Sequence, residues 1–369
     1  MTLFDQHYSR RTFLRASGAV GAAVGLGGLT AACNIGGAQG GTFNWITWSD
    51  HYIDTQLKKI EDADKIIANI SPLEGNAEGF AKLKEVKGQL DMMSADALWV
   101  RDAYHKEGLI EPFDIDEIAV AKELYPFARE FEIWTTPEGY LGYPFGWSPI
   151  MIYYDPAKVS GSPDGWEVLF DPKYKGRIVV ENQPEEVIAF MARAAGFDTP
   201  YSLSDDQLST VRGLLEKLKP NILKFAGQAT DTVNALISGE AWLSTGNIGN
   251  EDRVKDGGGP EIKGYVPKEG TVAWQDSEMI VKGGANEKLI KPFWEKAETA
   301  ENIAANFNAY GRPLFNEKAY QLLVDAGQKD KADRYRYNEA EEVLSKSILK
   351  GPGTSIDKSI QLFNEIFGA

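Results

Sequence analysis

The sequence predicts an α/β fold with mixed sheets, built as two lobes that are joined by crossing strands. Strand-like and helix-like segments alternate from residue 42 to residue 244. The long apolar stretch 143–155 suits a buried strand that passes between the lobes, and the stretch 274–281, which ends in the apolar residues 279–281, suits the strand that returns. A chain of 369 residues is also long enough to form two packed cores.

The first region alternates strands with helices. We expect strands at 42–48, 65–70 and 97–100, and helices at 52–60 and 80–86. Ser49 and Asp50 have the residue types that begin a helix. Ligands of such sheets bind at the carboxyl ends of strands, and the loops after Trp48 and Val100 are predicted to be those ends.

The second region repeats the alternation after the first crossing at 143–155, which prolines divide midway. We expect strands there at 177–180, 222–225 and 241–244, and helices at 184–195, 205–218 and 230–237. After the return crossing at 274–281, helices are expected at 288–298 and 300–308, with mostly helix after the turn at 310–313. The predicted lobes are therefore 42–146 plus 275–311, and 147–274 plus 312–369.

The amino terminus is predicted to be an export signal rather than part of the fold. Arg10 and Arg11 precede a weakly apolar run from Ala16 to Ala32, which is the pattern of a twin-arginine signal. Leu29-Thr30-Ala31-Ala32-Cys33 resembles a lipobox that ends at the only cysteine, so residues 1–33 are interpreted as a lipoprotein signal and Cys33 as the lipidated residue. The alternative is an unmodified surface thiol. Residues 34–41 are rich in glycine and indicate a tether.

The chain is acidic, with a formal net charge of −15. Cleavage before Cys33 would remove three arginines and one aspartate, which changes this charge to −17. Such a surface argues against binding to nucleic acid and favours the approach of cations. The remaining chain would have no thiol for a disulfide, so a packed core must provide its stability.

Trp274 and Asp276 are the most informative pair of residues. They follow a glycine-containing turn, and an extended chain would place both side chains on the same side. An aromatic ring beside a fixed carboxylate suits an organic cation, since burial strengthens the cation–π attraction and the ion pair. The alternative is a core tryptophan with Asp276 closing a turn.

Motifs typical of enzymes are missing from the sequence. There is no Gly-x-Ser-x-Gly, no His-Glu-x-x-His and no phosphate-binding loop. Only His51 and His105 lie beyond the signal, which is too few for a histidine metal cluster. We therefore expect neither an enzyme nor a cofactor or metal.

Several motifs together resemble the extracellular solute-binding proteins of ABC transporters, and most closely their spermidine/putrescine-binding branch. The motifs occur in the family's order over most of residues 42–320: Trp48-Ser49-Asp50 with Tyr52, Asn76, Lys106 to Ile110, Tyr143-Pro144 with Trp147 and Ser148, Gly165 to Gly176, Pro184 to Val187, and Pro267 to Gly270 with Trp274 and Asp276. The resemblance implies a two-lobed periplasmic-binding fold of type II, which closes on a small ligand and docks to a membrane permease. It implies a monomer in the periplasm or at the cell surface.

The resemblance also implies a binding site for a polyamine. Trp48 and Tyr52 would form an aromatic box, Trp274 a wall, and Asp276 and Glu186 the carboxylates that pair with ammonium groups. Glu186 is expected near the amino end of a helix, where the helix dipole favours its ionised form. Asp50, Trp147 and Ser148 complete the candidate residues carried over from the motifs.

Three residues depart from the polyamine pattern. Gln183 stands where a second carboxylate is expected, Asn247 where another tryptophan is expected, and Arg101 at or next to a small hydroxyl residue. If Arg101 lines the site, it could pair with a ligand carboxylate, which would favour a zwitterionic ligand such as an amino acid or an opine. The alternative is that Arg101 pairs with Asp102 or Asp96. The leading hypothesis is a receptor for a polyamine such as putrescine or spermidine.

Overall fold

The computed structural model describes residues 40–73, 75–86, 88–227 and 229–368. The predicted signal, Cys33 and nearly all of the tether lie outside these residues. Thirteen strands are found among the described residues: β1 Gly41–Thr47, β2 Ile66–Pro72, β3 Met92–Asp96, β4 Thr135–Thr136, β5 Gly139–Tyr140, β6 Tyr143–Pro149, β7 Met151–Tyr154, β8 Ile178–Glu181, β9 Ile222–Ala226, β10 Leu243–Gly246, β11 Lys263–Tyr265, β12 Val272–Ile280 and β13 Ile348–Leu349.

Helices follow most of these strands. The α-helical segments are Asp54–Asp64, Asn76–Glu85, Ala97–Trp99, Pro126–Glu130, Pro184–Ala194, Asp205–Leu218, Ala229–Ile237, Asn250–Asp256, Ile290–Ala297, Ala300–Tyr310, Glu317–Asp325, Lys329–Arg334, Ala340–Ser345 and Ile356–Phe367. Among the described residues, no helix is both long and apolar enough to cross a membrane.

Two mixed sheets organise the molecule. The first sheet has six strands: five in the order β13-β12-β3-β1-β2, and β6, which also pairs with β12. The second sheet has the order β11-β7-β10-β8-β9. Strands β1, β2 and β3 are parallel to one another, as are β8, β9 and β10. The sequence prediction of an α/β fold with mixed sheets is confirmed.

The chain passes between the sheets within the predicted stretch 143–155, and it returns before residue 272, earlier than the predicted 274–281. β6 pairs with β12 in the first sheet, and after Ile150 the chain continues as β7 in the second sheet. The return occurs between β11 and β12. Pro149 marks the change of partner, because proline cannot donate to a continuing ladder.

The third strand lies four to five residues earlier than predicted. β3 ends at Asp96, and residues 97–100, predicted as strand, begin a helical segment that continues as a π-helical turn over Val100–His105. Asn76 fixes this end of β3, since its Oδ1 accepts from the Asp96 backbone N–H at 3.0 Å. A four-residue apolar run fits a strand and a buried helical turn equally well, which explains the error.

The first helix also begins later than predicted, at Asp54 instead of Tyr52. Asp50 does not cap it. The Asp50 carboxylate instead accepts from Arg312 Nη1 at 2.8 Å, and its carbonyl accepts from Arg312 Nη2 at 2.8 Å. The residue type that predicted a helix start therefore serves a long-range ion pair.

The contacts of the carboxyl-terminal region favour different lobe boundaries from those predicted. The Phe315 backbone N–H donates to the Phe145 carbonyl of β6 at 3.0 Å, and Tyr125 donates to the Phe315 carbonyl at 2.9 Å. Helix Ile356–Phe367, in contrast, packs on helices Pro184–Ala194 and Asp205–Leu218. We therefore propose that residues 312–345 belong with the first sheet and residues 351–368 with the second; the two-lobe division itself stays a prediction.

Aromatic side chains pack beside each sheet. Phe43 and Trp45 of β1 pack on Phe293 beside the first sheet, with ring centroids 4.9 and 5.7 Å apart. Trp166 stacks on Phe190 beside the second, with centroids 4.9 Å apart. One buried cluster is continuous between the two sheets, since it includes Trp45 of β1 as well as Tyr153 of β7 and Val179 of β8.

Candidate functional site

A cleft of about 660 Å³ lies where the strand ends of the two sheets meet. The first sheet contributes the residues that follow β1, β2 and β3, and the second contributes those that follow β8, β9 and β10. β12 of the first sheet contributes Trp274 and Asp276. The lining residues that bear polar or aromatic groups are Trp48, Ser49, Asp50, Asn76, Asp96, Glu181, Asn182, Gln183, Glu185, Glu186, Asn247, Trp274, Asp276, Arg312 and Lys350. This is where ligands bind in open α/β sheets.

Seven of the eleven predicted ligand-binding residues line this cleft: Trp48, Asp50, Gln183, Glu186, Asn247, Trp274 and Asp276. Trp48 follows β1 directly and is half-buried. Trp274 is also half-buried, and its indole N–H donates to Asn247 Oδ1 at 2.7 Å. The two indoles offer apolar surface, and the amide of Asn247 orients one of them.

The other four predicted residues do not line the cleft. Tyr52 packs against Trp45 behind it, with ring centroids 6.1 Å apart. Trp147 and Ser148 are fully buried in β6. The Ser148 hydroxyl donates to the Pro149 carbonyl at 2.9 Å and accepts from the Ile248 backbone N–H at 3.0 Å.

Arg101 is the fourth of these residues, and its position matters most for the class of ligand that the cleft can bind. Its Nε and Nη2 donate to the two carboxylate oxygens of Asp102 at 3.2 and 3.0 Å. Because Val100–His105 forms a helical turn and not a strand end, Arg101 is directed to this neighbour and not into the cleft. The arrangement seen is thus the alternative of the sequence analysis, in which Arg101 pairs with Asp102.

Asp276 connects the cleft to a buried polar group behind it. His51 Nε2 lies 3.1 Å from Asp276 Oδ2, and His51 Nδ1 lies 3.4 Å from Glu278 Oε1. The imidazole stacks on Phe145, with centroids 4.1 Å apart. His51 therefore lies behind Asp276 and holds that carboxylate in position.

Arg312 is a cleft residue that the sequence analysis did not identify. Gly311 ends helix Ala300–Tyr310 in the left-handed conformation, with φ of 62°, and thereby turns Arg312 inward. The guanidinium pairs with Asp50 at 2.8 Å and lies 4.0 Å from Asp276. Its central carbon lies 5.1 Å from the Phe145 ring centroid and 5.9 Å from that of Trp274.

Lys350 is a second unpredicted cation. Its Nζ lies 3.7 Å from Glu186 Oε1 and 4.0 Å from Asp96 Oδ2. Asp96 ends β3 and Glu186 lies in the first turn of helix Pro184–Ala194, so one ammonium bridges residues from both sheets. Asp96 could have been found from the rule that strand ends bind ligands had β3 been placed correctly. Lys350 follows a two-residue strand and carries no such signal.

The cleft is acidic. Six carboxyl groups line it, those of Asp50, Asp96, Glu181, Glu185, Glu186 and Asp276, against the two cations Arg312 and Lys350. Two carboxylate oxygens, Asp96 Oδ1 and Glu181 Oε1, are buried and accept no hydrogen bond from any described residue. Buried acceptors of this kind are rare unless a donor is supplied from outside.

Burial raises the pKa of most of these carboxyl groups. It raises the pKa of Asp276 to about 7 against the opposing charge of Arg312, and the pKa of Asp96 to about 8 against that of Lys350. The pKa of Glu181 rises to about 7, through burial and the neighbouring Glu186. Burial also raises the pKa of Glu186. The expected stabilisation of its ionised form by the helix dipole is thus outweighed.

Asp50 differs from the other acids. Burial acts to raise its pKa, but the Arg312 guanidinium and the nearby His51 outweigh burial and lower it. Asp50 is therefore an ionised partner of Arg312, whereas the pKa values of Asp276, Asp96, Glu181 and Glu186 are all raised. Among the described residues, no group of three or more His, Cys, Asp or Glu side chains is arranged to hold a metal ion.

Comparisons with known proteins agree with this architecture. The family model described as bacterial extracellular solute-binding protein matches residues 99–339, and the model of the twin-arginine translocation signal matches residues 7–27. The spermidine/putrescine-binding periplasmic protein of Escherichia coli K12 is 26% identical over 302 residues, which cover 79% of this chain and 82% of that protein.

Solved structures share the fold. The spermidine/putrescine ABC transporter substrate-binding protein PotD of Streptococcus pneumoniae superimposes with a TM-score of 0.69 at 20% identity, covering 88% of this chain and 98% of that one. The binding protein MotA of A. tumefaciens B6, solved in complex with glucopine, has a TM-score of 0.65 at 16% identity, covering 88% of this chain and 99% of that one. Both likenesses concern the fold alone.

Proposed function

Because the chain belongs to the bacterial extracellular solute-binding proteins, we propose that it is the receptor of an ABC importer and captures a small cationic amine in the cleft between its two sheets. Putrescine and spermidine are the proposed ligands. The names of the Escherichia coli and Streptococcus pneumoniae relatives support this ligand class.

The observation that carries the proposal is the excess of buried acids between two indoles. Glu181 Oε1 lacks a donor among the described residues, and an alkylammonium group is a donor with a compensating charge. Trp48 and Trp274 provide faces for the methylene chain and for cation–π contact. A ligand with these two features would relieve the cost of burying the carboxyl groups.

In this scheme the ligand is not converted chemically; its binding shifts the populations of the open and closed conformations of the protein. Glu186 and Glu181 belong to the second sheet and its helix, whereas Asp276, Asp96 and Trp48 are positioned by the first. A cation that contacts both sets favours a closed arrangement over an open one, about the crossings at β6–β7 and β11–β12. The ABC permease would then recognise the closed protein.

Trp274→Ala should weaken the binding of putrescine by about 1–2 kcal/mol, which is roughly 5- to 30-fold in the dissociation constant. The variant loses one aromatic wall and the hydrogen bond that joins the indole to Asn247. Isothermal titration calorimetry on the folded variant measures the change.

Trp242→Ala is the matched control for this variant. Trp242 is also half-buried with a cation over its ring, Arg177 at 4.9 Å, but it does not line the cleft. We expect the Trp242→Ala variant to bind putrescine with the affinity of the wild type. Equal affinities of the Trp274 and Trp242 variants would reject Trp274 as part of the site.

The affinity for putrescine should rise from pH 6 to pH 8. Asp276 and Glu181, with pKa values of about 7, are partly protonated in the ligand-free protein. A bound ammonium favours their ionised forms, so binding releases protons and strengthens as pH rises, by up to about tenfold per pH unit for each proton released. Dissociation constants at pH 6, 7 and 8 test this, and a constant affinity would contradict it.

A zwitterionic amine, such as an amino acid or an opine, is the second candidate ligand. The observation that favours it is the presence of two cations, Arg312 and Lys350, in the cleft. Arg101, which the sequence analysis offered for this role, pairs with Asp102 instead, so Arg101→Ala should affect neither class of ligand.

A secreted hydrolase on the same fold is the least supported function. The cleft contains no cysteine, serine–histidine pair or metal-ligand group among the described residues. Recovery of the amine chemically unchanged after incubation would support the receptor.

The proposed location follows from the amino terminus. The chain carries a twin-arginine signal, which supports export to the periplasm. We propose in addition that Cys33 is lipidated and anchors a monomeric receptor beside its permease. Mass spectrometry of the processed amino terminus would detect the lipid, and an unmodified Cys33 in exported protein would contradict the anchor.

A further inference from the structure

Lys350 is held at the cleft by the backbone on both sides of it. Its own N–H donates to the Ala273 carbonyl at 2.7 Å, next to Trp274 on β12. A β-carbon on the following residue, Gly351, would lie 2.6 Å from Leu98 Cβ, so only glycine allows this close approach. The side chain of Lys350 therefore enters the cleft from a fixed point.

The Lys350 ammonium is placed between acids of the two sheets. It lies 3.7 Å from Glu186 and 4.0 Å from Asp96, and only 13% of the side chain is exposed. Burial alone would lower the pKa of Lys350, but the carboxylates of Glu186 and Asp96 outweigh burial and raise it. The group therefore remains a cation throughout the physiological range.

The other acids of the cleft differ from Asp96 and Glu186 in their cationic partners. Arg312 is already paired with Asp50 at 2.8 Å and is more distant from Asp276, at 4.0 Å. Among the described residues, no lysine, arginine or histidine forms an ion pair with Glu181 or Glu185. Glu181 and Glu185 are thus without an ion pair to described residues, whereas the Asp96–Glu186 end already holds a positive charge.

We propose that Lys350 occupies one ammonium position of the cleft with its own side chain and so makes the protein select a short diamine over a longer triamine. The inference rests on the proposed function. A third ligand ammonium directed to Asp96 and Glu186 would lie within a few ångströms of Lys350, and two like charges repel strongly at a poorly solvated site. A diamine of putrescine length has no third ammonium to place there.

The test compares putrescine with spermidine by calorimetry at one pH and one ionic strength. We expect the wild type to prefer putrescine and Lys350→Met to improve the affinity for spermidine, relative to that for putrescine, by at least about tenfold, which corresponds to about 1.4 kcal/mol. Lys350→Arg should keep the wild-type preference, since it restores the charge. Lys350→Gln provides a second neutral variant in case the methionine variant does not fold.

Lys346→Met is the matched control, because it removes the same charge four residues earlier. Lys346 pairs with Glu342 on the surface, and 71% of its side chain is exposed. It should leave the preference unchanged. An unchanged ratio of the two affinities in Lys350→Met and Lys350→Gln would overturn the inference while leaving the proposed function intact.

Two other outcomes would be decisive. If the wild type binds 4-aminobutanoate more tightly than putrescine and Lys350→Met loses that binding, Lys350 pairs with a ligand carboxylate and the inference is wrong. If neither diamine nor triamine binds the wild type or any variant, the proposed function fails and the inference fails with it.

Discussion

Asp276→Asn is expected to weaken putrescine binding by about 2–4 kcal/mol, or roughly 30- to 1,000-fold, without loss of stability. The amide keeps the shape of the carboxylate but cannot compensate a buried ammonium. His51 Nε2, 3.1 Å away, can still donate to the amide oxygen, and Arg312 keeps its partner Asp50 at 2.8 Å. The loss therefore concerns the ligand and not the fold.

The stability of this variant provides an independent check. The pKa of Asp276 is raised to about 7 in the folded protein, so the folded state holds its proton more tightly than the unfolded state does. That contribution to stability is complete below the unfolded pKa and is lost as pH rises through about 7. At pH 8 the ionised Asp276 thus opposes folding, and we expect Asp276→Asn to melt at the same temperature as the wild type or higher.

Asp62→Asn is the control for this substitution. Asp62 pairs with Lys58 on the exposed face of helix Asp54–Asp64, and 63% of its side chain is exposed. It changes the net charge by the same amount far from the cleft and should leave the affinity unchanged. Equal putrescine affinities of the two asparagine variants would exclude Asp276 as the ligand's counter-ion.

Trp147→Ala should cost about 3–5 kcal/mol of unfolding free energy, the range for an aromatic residue removed from a core. Trp147 is fully buried and stands opposite Gln275 in the β6–β12 pair, so its removal leaves a cavity between the crossing strands. Urea denaturation monitored by circular dichroism measures the loss.

Trp147→Phe serves as the comparison, because it keeps most of the volume and should lose less stability than Trp147→Ala. The sequence analysis placed Trp147 among the ligand contacts, whereas the structure makes it a core residue. A Trp147→Ala protein of wild-type stability that no longer binds putrescine would restore the original interpretation.

The fold was largely predictable from local patterns. Helix Asp205–Leu218 was predicted with both ends correct, since Ser204 and Gln207 form a capping box that the sequence displays. The crossing at 143–155 was predicted because its apolar run is too long for one strand and contains prolines. β3 was misplaced because residues 97–100 have a composition that suits either kind of buried element.

Site residues were predicted correctly where they lie in a strand, or just after one, whose end faces the cleft. Trp48, Trp274 and Asp276 line the cleft because they end or cross a sheet. Arg312 and Lys350 could not be found in this way, since they meet Asp50 and Asp96 only through contacts that span more than 250 residues of sequence. Tyr52 lies five residues after the end of β1, and nothing local indicates that its ring turns to Trp45.

The central claim is that the cleft binds a small organic cation, and thermal unfolding of the wild-type protein in the presence of single ligands tests it most directly. Putrescine, spermidine, 4-aminobutanoate, an opine and an uncharged sugar should be compared at one pH. A ligand at about 100 times its dissociation constant adds about 2.7 kcal/mol to the unfolding free energy, which raises the melting temperature measurably. The account predicts the largest rise with putrescine. A rise with the sugar alone, and none with either polyamine, would contradict it.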